Sequence, residues 1–120
     1  MRQLSHGEPA VIVGKTYDFV LWLLPKVEKF ARSYRLSVGE RLVGCGLDLL
    51  LILVVASYTT DKAVLLQQAS QKVNMLRYLL RLAKDLRLLS MDGYGFAVER
   101  LDEIGRMAGG WLRATTTKHS

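Results

Sequence analysis

The chain has 120 residues, half of them apolar, and carries 17 Lys and Arg against 11 Asp and Glu, a formal net charge of +6. This length fits one domain, and the apolar half excludes a disordered basic tail. The one cysteine excludes an intrachain disulfide and a cysteine-built zinc site, and the two histidines lie near opposite ends of the chain. This inventory favours a polyanion partner over a reaction, although the charge by itself is equally consistent with a soluble surface.

Targeting and membrane segments are not predicted. Residues 1–8 contain charged side chains and no apolar core of a secretory signal. The apolar run over residues 42–56 is shorter than the roughly 20 residues that span a bilayer, and Asp48 interrupts it. We therefore expect a cytoplasmic protein in which this run is the central buried helix, with a membrane-associated hairpin as a lesser alternative.

The first helix is predicted over about residues 14–32, after an irregular N-terminal segment over 1–13. Pro25 lies within this helix, and we expect a kink there with the helix continuing beyond it. Five apolar side chains recur at helical spacing and are expected to face the core: Tyr17, Val20, Leu21, Leu24 and Val27.

The second helix is predicted over about residues 37–57. Ser37 and Glu40 form the pattern of a capping box at its start. The helix is apolar nearly all round from Leu47, which is typical of a helix surrounded by neighbours. We expect Asp48 to be a buried carboxylate satisfied by a Tyr or Arg of a neighbouring helix, and Cys45 to be a small core residue.

The third helix is predicted over about residues 61–87, with the segment 59–61 as its cap. From Lys62 to Arg87 there are six basic residues and one acid, so this segment supplies five of the six net positive charges. Arg77, Arg81 and Lys84 lie together on one edge of the apolar face. The residues expected to form that face are Leu66, Ala69, Val73, Leu76, Leu79, Leu80 and Ala83.

The fourth helix is predicted over about residues 91–113, with Ser90 as its cap and residues 115–120 as a flexible tail. Gly105 and Gly109 form a ridge of small residues suited to close helix contact. The inward residues are expected to be Tyr94, Ala97, Leu101, Ile104, Ala108 and Trp111. Four helices with short connections predict an all-α, antiparallel up-down-up-down four-helix bundle over residues 14–114.

The spacing of the glycines does not fit either of two nucleotide-binding motifs. The segment from Gly14 to Thr16 resembles the end of a phosphate-binding loop, but Pro9 occupies the position of the first glycine. The glycine pattern that starts at Gly93 fails because Val98 stands where the third glycine is required. We therefore expect neither a phosphate loop nor a dinucleotide cofactor.

The acidic residues of the fourth helix do not predict a metal site. Glu99, Asp102 and Glu103 are close in sequence, but no predicted helix contains the histidine that a metal site in a bundle needs. We expect these acids to form a solvated face that pairs with Arg100 and Arg106. With no set of acid, base and nucleophile, the chain is not expected to be an enzyme, and no cofactor or metal is expected.

The basic edge of the third helix is the strongest functional signal. Neighbouring like charges on one helix face repel by a few tenths of a kcal/mol per pair, whereas a phosphate backbone would be attracted to them. Tyr34 and Tyr78 offer stacking, although packing is the commoner role for tyrosine, and a solvated charged face is an equally open explanation. Any binding is expected to be backbone-directed, since no base-reading motif is present. The candidate nucleic-acid-binding residues are Arg77, Arg81, Lys84, Arg87 and Lys72.

Residues 103–112 (EIGRMAGGWL) and 75–84 (MLRYLLRLAK) resemble the Avd family, the accessory variability determinants of diversity-generating retroelements. That family lies within a wider group of bacterial four-helix bundles that includes proteins encoded in ribosomal RNA intervening sequences. Residues 15–18, 22–26 and 47–50 fit the same pattern, so the resemblance covers roughly residues 14–113.

The resemblance implies a homopentameric barrel that binds a reverse transcriptase together with RNA or DNA and supports cDNA synthesis during mutagenic retrohoming. Arg77 and Arg81 match basic positions of the family's third helix, which implies contacts there. The match at Gly105, Gly109, Gly110 and Trp111 implies packing. The alternative is a bundle of the intervening-sequence type that acts as a protein-interaction module with an unknown partner.

Overall fold

The fold consists of four long helices. The computed structural model describes the backbone of residues 4–119 and the side chains of residues 9–116. The helices are α1 (Leu4–Glu28), α2 (Glu40–Ser57), α3 (Ala63–Asp85) and α4 (Met91–His119). A helical turn at Arg32–Tyr34 and a π-helical turn at Arg35–Gly39 connect α1 to α2. No strand occurs within residues 4–119, which confirms the predicted all-α class for that part of the chain.

The helices form an antiparallel four-helix bundle about a single core. Each helix packs against the next along the chain, and α1 closes the bundle on α4, while the diagonally opposed helices stay apart over the described residues. Because the connections are short, successive helices run in opposite directions. The bundle measures 48 × 23 × 20 Å. Leucines buried from every helix build its centre, among them Leu23, Leu49, Leu76, Leu80 and Leu101.

The first helix begins earlier and ends earlier than predicted. It starts at Leu4, so the predicted irregular segment over 1–13 is wrong for residues 4–13, and residues 1–3 lie outside the described part. Ile12 is buried and accepts a hydrogen bond from the Thr16 hydroxyl at 2.8 Å, so the core extends into this segment. The helix continues through Pro25 as predicted but stops at Glu28, because Ala31 adopts an extended conformation with ψ of 140°.

The core face of α1 differs from the predicted face. Val20 and Val27 are buried and Leu24 is half-buried, as expected. Tyr17 and Leu21, however, are 56% and 61% exposed. The neighbouring face of the helix enters the core instead, with Phe19 and Leu23 buried, as is Phe30 beyond the end of the helix. Because α1 is apolar over more than one face, periodicity alone does not determine which face turns inward.

The second helix is not surrounded by neighbours, contrary to the prediction. Leu42, Leu49, Leu53 and Ala56 are buried, but a second apolar row remains exposed: Leu47, Leu51 and Val55. The physical reason is that, among the described helices, α2 packs against α1 and α3 but not against α4, which leaves its outer side open. Cys45 is buried, as predicted. Asp48 is not: its side chain is 58% exposed, and it pairs with Lys72 rather than with a Tyr or Arg.

Two of the three predicted helix caps are wrong. Ser37 lies within the π turn and its hydroxyl donates to the Tyr34 carbonyl at 3.4 Å, so it does not cap α2. Similarly, α3 begins only after Lys62, and the Thr59 hydroxyl donates back to Val55 of the preceding helix at 2.7 Å. The cap at Ser90 is confirmed, because its hydroxyl accepts a hydrogen bond of 3.0 Å from the Gly93 amide.

The cores of α3 and α4 follow the predicted pattern. The predicted inward residues of α3 are buried, with Leu79 half-buried; in α4 the same holds, with Tyr94 and Trp111 half-buried. The predicted flexible tail is wrong for residues 115–119, because α4 continues to His119, and Ser120 lies outside the described residues. Hydroxyls of Thr115 and Thr116 donate to carbonyls of the same helix, which allows polar residues to continue it.

No helix within residues 4–119 is long and apolar enough to cross a membrane.

Candidate nucleic-acid interface

The structure divides the five predicted nucleic-acid-binding residues among three places. Lys72 lies on the side of α3 that faces α2, where it meets Asp48. Arg77 and Lys84 lie on the opposite side, against α4. Arg81 projects into solvent from α3, and Arg87 lies in the turn that follows the helix. The five cations therefore do not form one continuous stripe.

Arg77 joins α3 to α4. Its Nε and Nη2 atoms donate to Oδ1 of Asp102 at 3.2 and 3.0 Å, and its Nη1 atom donates to Asn74 at 2.7 Å. The guanidinium lies against Gly105, where a Cβ atom would stand 3.2 Å from Nη2 and 3.3 Å from a methyl of Val73. Most of the donor capacity of Arg77 is thus used within the bundle, and its charge is compensated.

Lys72 and Lys84 are also partnered. The Nζ atom of Lys72 lies 3.3 Å from Asp48 on α2. The Nζ atom of Lys84 lies 3.4 Å from Asp85 and 4.8 Å from the centre of the Tyr94 ring on α4. Both ammonium groups retain part of their exposure, but an incoming phosphate would have to compete with these contacts.

Arg81 and Arg87 are the exposed cations of the predicted set. Neither forms an ion pair with any residue that the structure describes. Arg87 has a positive φ of 62°, and the Leu88 amide that follows donates to the Ala83 carbonyl at 2.8 Å, which closes the C-terminus of α3. This left-handed position is usually occupied by glycine, because an L side chain there costs about 1 kcal/mol or more.

Both tyrosines considered for stacking lie outside the core. Tyr78 is 72% exposed on the outer face of α3, and Tyr34 is 38% exposed in the connection between α1 and α2. Tyr78 lines an open groove between α2 and α3 together with Glu40 and Arg41. The Tyr78 ring is therefore largely free of packing within this chain, whereas more than half of Tyr34 is covered.

Sequence reasoning missed a group of cations at the start of α2 and before it. Lys29, Arg32 and Arg41 are exposed, and Arg35 is half-exposed. The charge of a single predicted helix does not include them, because they lie in the connection between α1 and α2 or directly beside it. This connection meets α3 only in the folded bundle. The available signal was that basic residues cluster on both sides of this connection.

Two of the three acidic residues predicted to form a solvated face of α4 form ion pairs with other helices. Glu99 pairs with Arg100 at 2.9 Å, as expected. Asp102 instead pairs with Arg77 on α3, and Glu103 pairs with Lys15 on α1 at 3.0 Å and more weakly with Arg100 at 3.9 Å. The hydrogen bond from Lys15 lowers the pKa of Glu103 below its usual value, and burial opposes that shift.

The predicted ridge of small residues makes a close contact with the neighbouring helix at Gly105. Gly105 approaches α3 closely, whereas a Cβ atom at Gly109 or Gly110 would meet only Arg113 of the same helix, at 3.5 and 3.8 Å. Trp111 is half-buried against the core, with the Nζ atom of Lys62 5.2 Å from its ring centre.

An exposed apolar surface lies on the opposite side of the bundle. A groove between α1 and α2 is lined mainly by apolar side chains, and the apolar rows of both helices continue beyond it. We call this surface the apolar face and define it by Tyr17, Leu21, Leu24, Leu47, Leu50 and Leu51. Contiguous apolar surface of this kind marks interaction sites in soluble proteins.

The chain was compared with models of known protein families. The family model described as bAvd-like matches residues 10–115, which is nearly all of the described chain. No curated protein sequence matches the chain.

Proposed function

The chain belongs to the bAvd-like family, and on this basis we propose that it is a non-enzymatic accessory protein of a diversity-generating retroelement. In this role it holds RNA or DNA beside a reverse transcriptase and supports mutagenic cDNA synthesis. The same membership supports the resemblance to Avd proteins drawn from residues 75–84 and 103–112.

The proposed protein is a homo-oligomer, with the five subunits that the Avd resemblance implies. The apolar face supports this proposal, because leucines of α1 and α2 are exposed in the single chain and would be buried by a second copy. Tyr17 and Leu21 on one helix and Leu47 and Leu51 on the other provide the area. In a ring, each copy would contribute this face to a neighbour.

Nucleic acid would be bound through its phosphate backbone. Ring symmetry repeats the cations of α3 on every subunit, and repeated weak contacts raise affinity without any sequence-reading contact to base edges. Arg81 and Arg87 are best suited to this role, since their charges are exposed, and Arg77, Lys84 and Lys72 contribute where a phosphate displaces their present partners.

The observation that carries the proposal is the separation of the two surfaces. The apolar face lies on α1 and α2, whereas Arg81 and the turn that contains Arg87 belong to α3 and its connection to α4. Self-association through the apolar face would cover Lys29, which lines the groove of that face, but it leaves Arg81 and Arg87 accessible, as a nucleic-acid-binding assembly requires.

The oligomer is tested by placing charges on the apolar face. Leu21→Glu with Leu51→Glu is expected to reduce the mass measured by light scattering to that of a monomer while the circular dichroism spectrum remains helical. The matched control is Val64→Glu on α3, because Val64 is 63% exposed, as Leu21 is 61% exposed. A wild-type monomer, or a double variant with unchanged mass, would contradict self-association through this face.

The binding role is tested by titrating the wild-type protein into labelled RNA and DNA over a series of salt concentrations. The logarithm of the dissociation constant is expected to rise linearly with the logarithm of the salt concentration. Absence of binding would contradict the nucleic-acid role, and salt-independent binding would contradict a backbone-directed contact.

The retroelement role is tested by the genes that surround this one. A neighbouring reverse transcriptase gene, with a near-repeat of part of a target gene, is expected, and the two purified proteins should then associate. Placement inside a ribosomal RNA gene would instead indicate the intervening-sequence type of bundle.

A further inference from the structure

The two connections that carry free cations lie at the same end of the bundle. In an up-down-up-down bundle the connection between α1 and α2 and the one between α3 and α4 are at one end, and the connection between α2 and α3 is at the other. The π turn Arg35–Gly39 packs against both α1 and α3. The start of α2 faces α3 as well, since Arg41 and Tyr78 line the same groove.

This end of the bundle carries an excess of positive charge. Residues 28–41 and 81–87 together contain seven basic residues and three acidic ones. All seven cations are exposed or half-exposed, but Lys84 pairs with Asp85 and Lys29 lines the groove of the apolar face. We call the remaining five the basic end: Arg32, Arg35, Arg41, Arg81 and Arg87. Arg35 approaches Glu28 at 3.9 Å, and the other four form no ion pair with any described residue.

Cations along the middle of the bundle contrast with those of the basic end. Lys15, Lys72, Arg77 and Arg100 each lie between 2.9 and 3.3 Å from a carboxylate oxygen. These four cations are neutralised by carboxylates, whereas those of the basic end lack such close partners; Arg106 and Arg113 of α4 also lack an ion pair with any described residue. Clustered like charges destabilise a fold slightly, so their presence at one end favours an anionic partner there.

Two exposed aromatic rings accompany these cations. Tyr34 lies between Arg32 and Arg35 in the connection, and Tyr78 lies one helical turn before Arg81 on α3. The connection is firmly packed, because Val38 and Gly39 are buried and a Cβ atom at Gly39 would stand 2.9 Å from a methyl of Val27. Tyr34 is thus presented on a rigid support.

The backbone at Arg87 adopts a left-handed conformation that does not favour arginine. Its φ of 62° is a conformation that glycine adopts without strain and that arginine adopts at a cost. An arginine at this position adds a cation to the basic end, where a glycine would add none.

From these observations we propose that the basic end is a binding surface for single-stranded nucleic acid, in which the arginines contact phosphates while Tyr34 and Tyr78 stack on bases. The inference rests on the proposed function and assigns that binding to one end of the bundle. A single strand fits best, because its bases are free to stack on exposed rings, whereas a duplex keeps its bases paired and an acidic protein surface needs cations alone.

The experiment compares variants of the full chain by fluorescence anisotropy, with oligouridine as the single strand and an RNA hairpin as the duplex. Arg32→Ser and Arg87→Gly remove cations of the basic end, and Arg87→Gly also removes backbone strain, so that loss of folding cannot explain a loss of binding. Arg106→Ser and Arg113→Ser are the matched controls, because both residues are exposed cations on α4. Tyr34→Ser and Tyr78→Ser test the stacking.

Each arginine lost from the basic end is expected to weaken oligouridine binding and to lower its salt slope by about 0.7. Each tyrosine variant is expected to weaken oligouridine binding by about fivefold or more while leaving hairpin binding nearly unchanged. The two α4 controls are expected to bind as the wild type does.

Other outcomes would overturn the inference in distinguishable ways. If the α4 controls lose as much affinity as the variants of the basic end, binding is not located there, although the proposed function stands. Equal losses for strand and hairpin in the tyrosine variants would overturn the stacking. Competition by polyglutamate as strong as by unlabelled oligouridine would indicate an acidic protein partner, and a wild-type chain that binds no nucleic acid would overturn both proposals.

Discussion

Arg77 and Asp102 join α3 to α4 through two hydrogen bonds, of 3.2 and 3.0 Å, that converge on one carboxylate oxygen. Both side chains are partly exposed, so we expect Arg77→Ala to lower the free energy of unfolding by about 1 kcal/mol. Arg81→Ala, which removes an exposed cation from the same helix, should change it by less than about 0.5 kcal/mol. Urea unfolding followed by circular dichroism measures both values.

A double-mutant cycle separates the pair from other effects of the substitution. Arg77→Ala and Asp102→Ala together should cost less than the sum of the two single changes, because either change alone removes the same hydrogen bonds. Strict additivity would contradict a direct contact between the two side chains.

Two glycines near the start of α2 should respond in opposite directions to alanine. Gly39 has an ordinary helical φ of −60°, so its requirement for glycine is one of space: a Cβ atom would stand 2.9 Å from a Val27 methyl. Gly39→Ala should destabilise the protein by roughly 1–3 kcal/mol through overpacking. Gly44 has nothing within 4 Å of the same position, so Gly44→Ala should stabilise it by about 0.5–1 kcal/mol through helix propensity. Thermal or urea unfolding measures the free energy of unfolding of both variants. A change of the same sign in the two variants would contradict this prediction.

Arg87→Gly should stabilise the fold. The substitution relieves the left-handed backbone at the end of α3 and should raise the free energy of unfolding by about 0.5–1 kcal/mol, after the greater freedom of glycine in the unfolded chain is subtracted. Arg87→Ala, which removes the same charge but keeps the strain, is the control and should give no such gain. A larger gain for alanine than for glycine in chemical denaturation would contradict the role assigned to the backbone.

The thiol of Cys45 should react slowly in the folded protein. Burial raises its pKa above 9.0, with Lys72 opposing this shift and Asp48 adding to it, so the folded chain holds a proton that the unfolded chain releases at lower pH. Its contribution to stability is therefore complete below the unfolded pKa and declines as pH rises towards the folded value. Labelling with a thiol reagent should accelerate as urea unfolds the chain.

The pH dependence has its own control. Cys45→Ala removes the titrating group, so the wild type should lose more stability than this variant as pH is raised past 9.0. Identical pH profiles for the two proteins would show that the thiol does not contribute.

The sequence predicted the cores of α3 and α4 better than those of α1 and α2, and composition explains the difference. In α3 most apolar residues from Leu66 to Ala83 occupy one arc, and the remainder of the helix is mostly polar or charged, so one orientation buries most of the apolar side chains. In α1 and α2 the apolar surface is wider than the core that it faces. Periodicity detects that Leu21 and Leu51 are apolar but does not distinguish a core position from a position at the surface of a subunit.

The candidate site was predictable only within one helix. A period of 3.6 residues places Arg77, Arg81 and Lys84 on one edge of α3, but in the structure Arg77 and Lys84 lie against α4 while Arg81 projects into solvent. It does not reveal that Asp102 and Tyr94 of α4 meet two of these cations, because such contacts depend on how two helices are aligned. Asp48 illustrates the same limit, since its apolar sequence neighbours suggested burial while the turn of α2 directs it to Lys72 at the surface.

The location of the π turn at one end of a bundle 48 Å long has a consequence for the proposed assembly. Copies related by rotation about one axis all point the same way along that axis. With the long axis of each bundle parallel to the ring axis, every Arg32, Arg87 and Tyr34 would lie on one rim of the ring, and the opposite rim would carry none of them. Such a ring has two different sides, one that attracts a nucleic-acid strand and one that does not. The bound strand would therefore approach the enzyme that extends it from one defined direction.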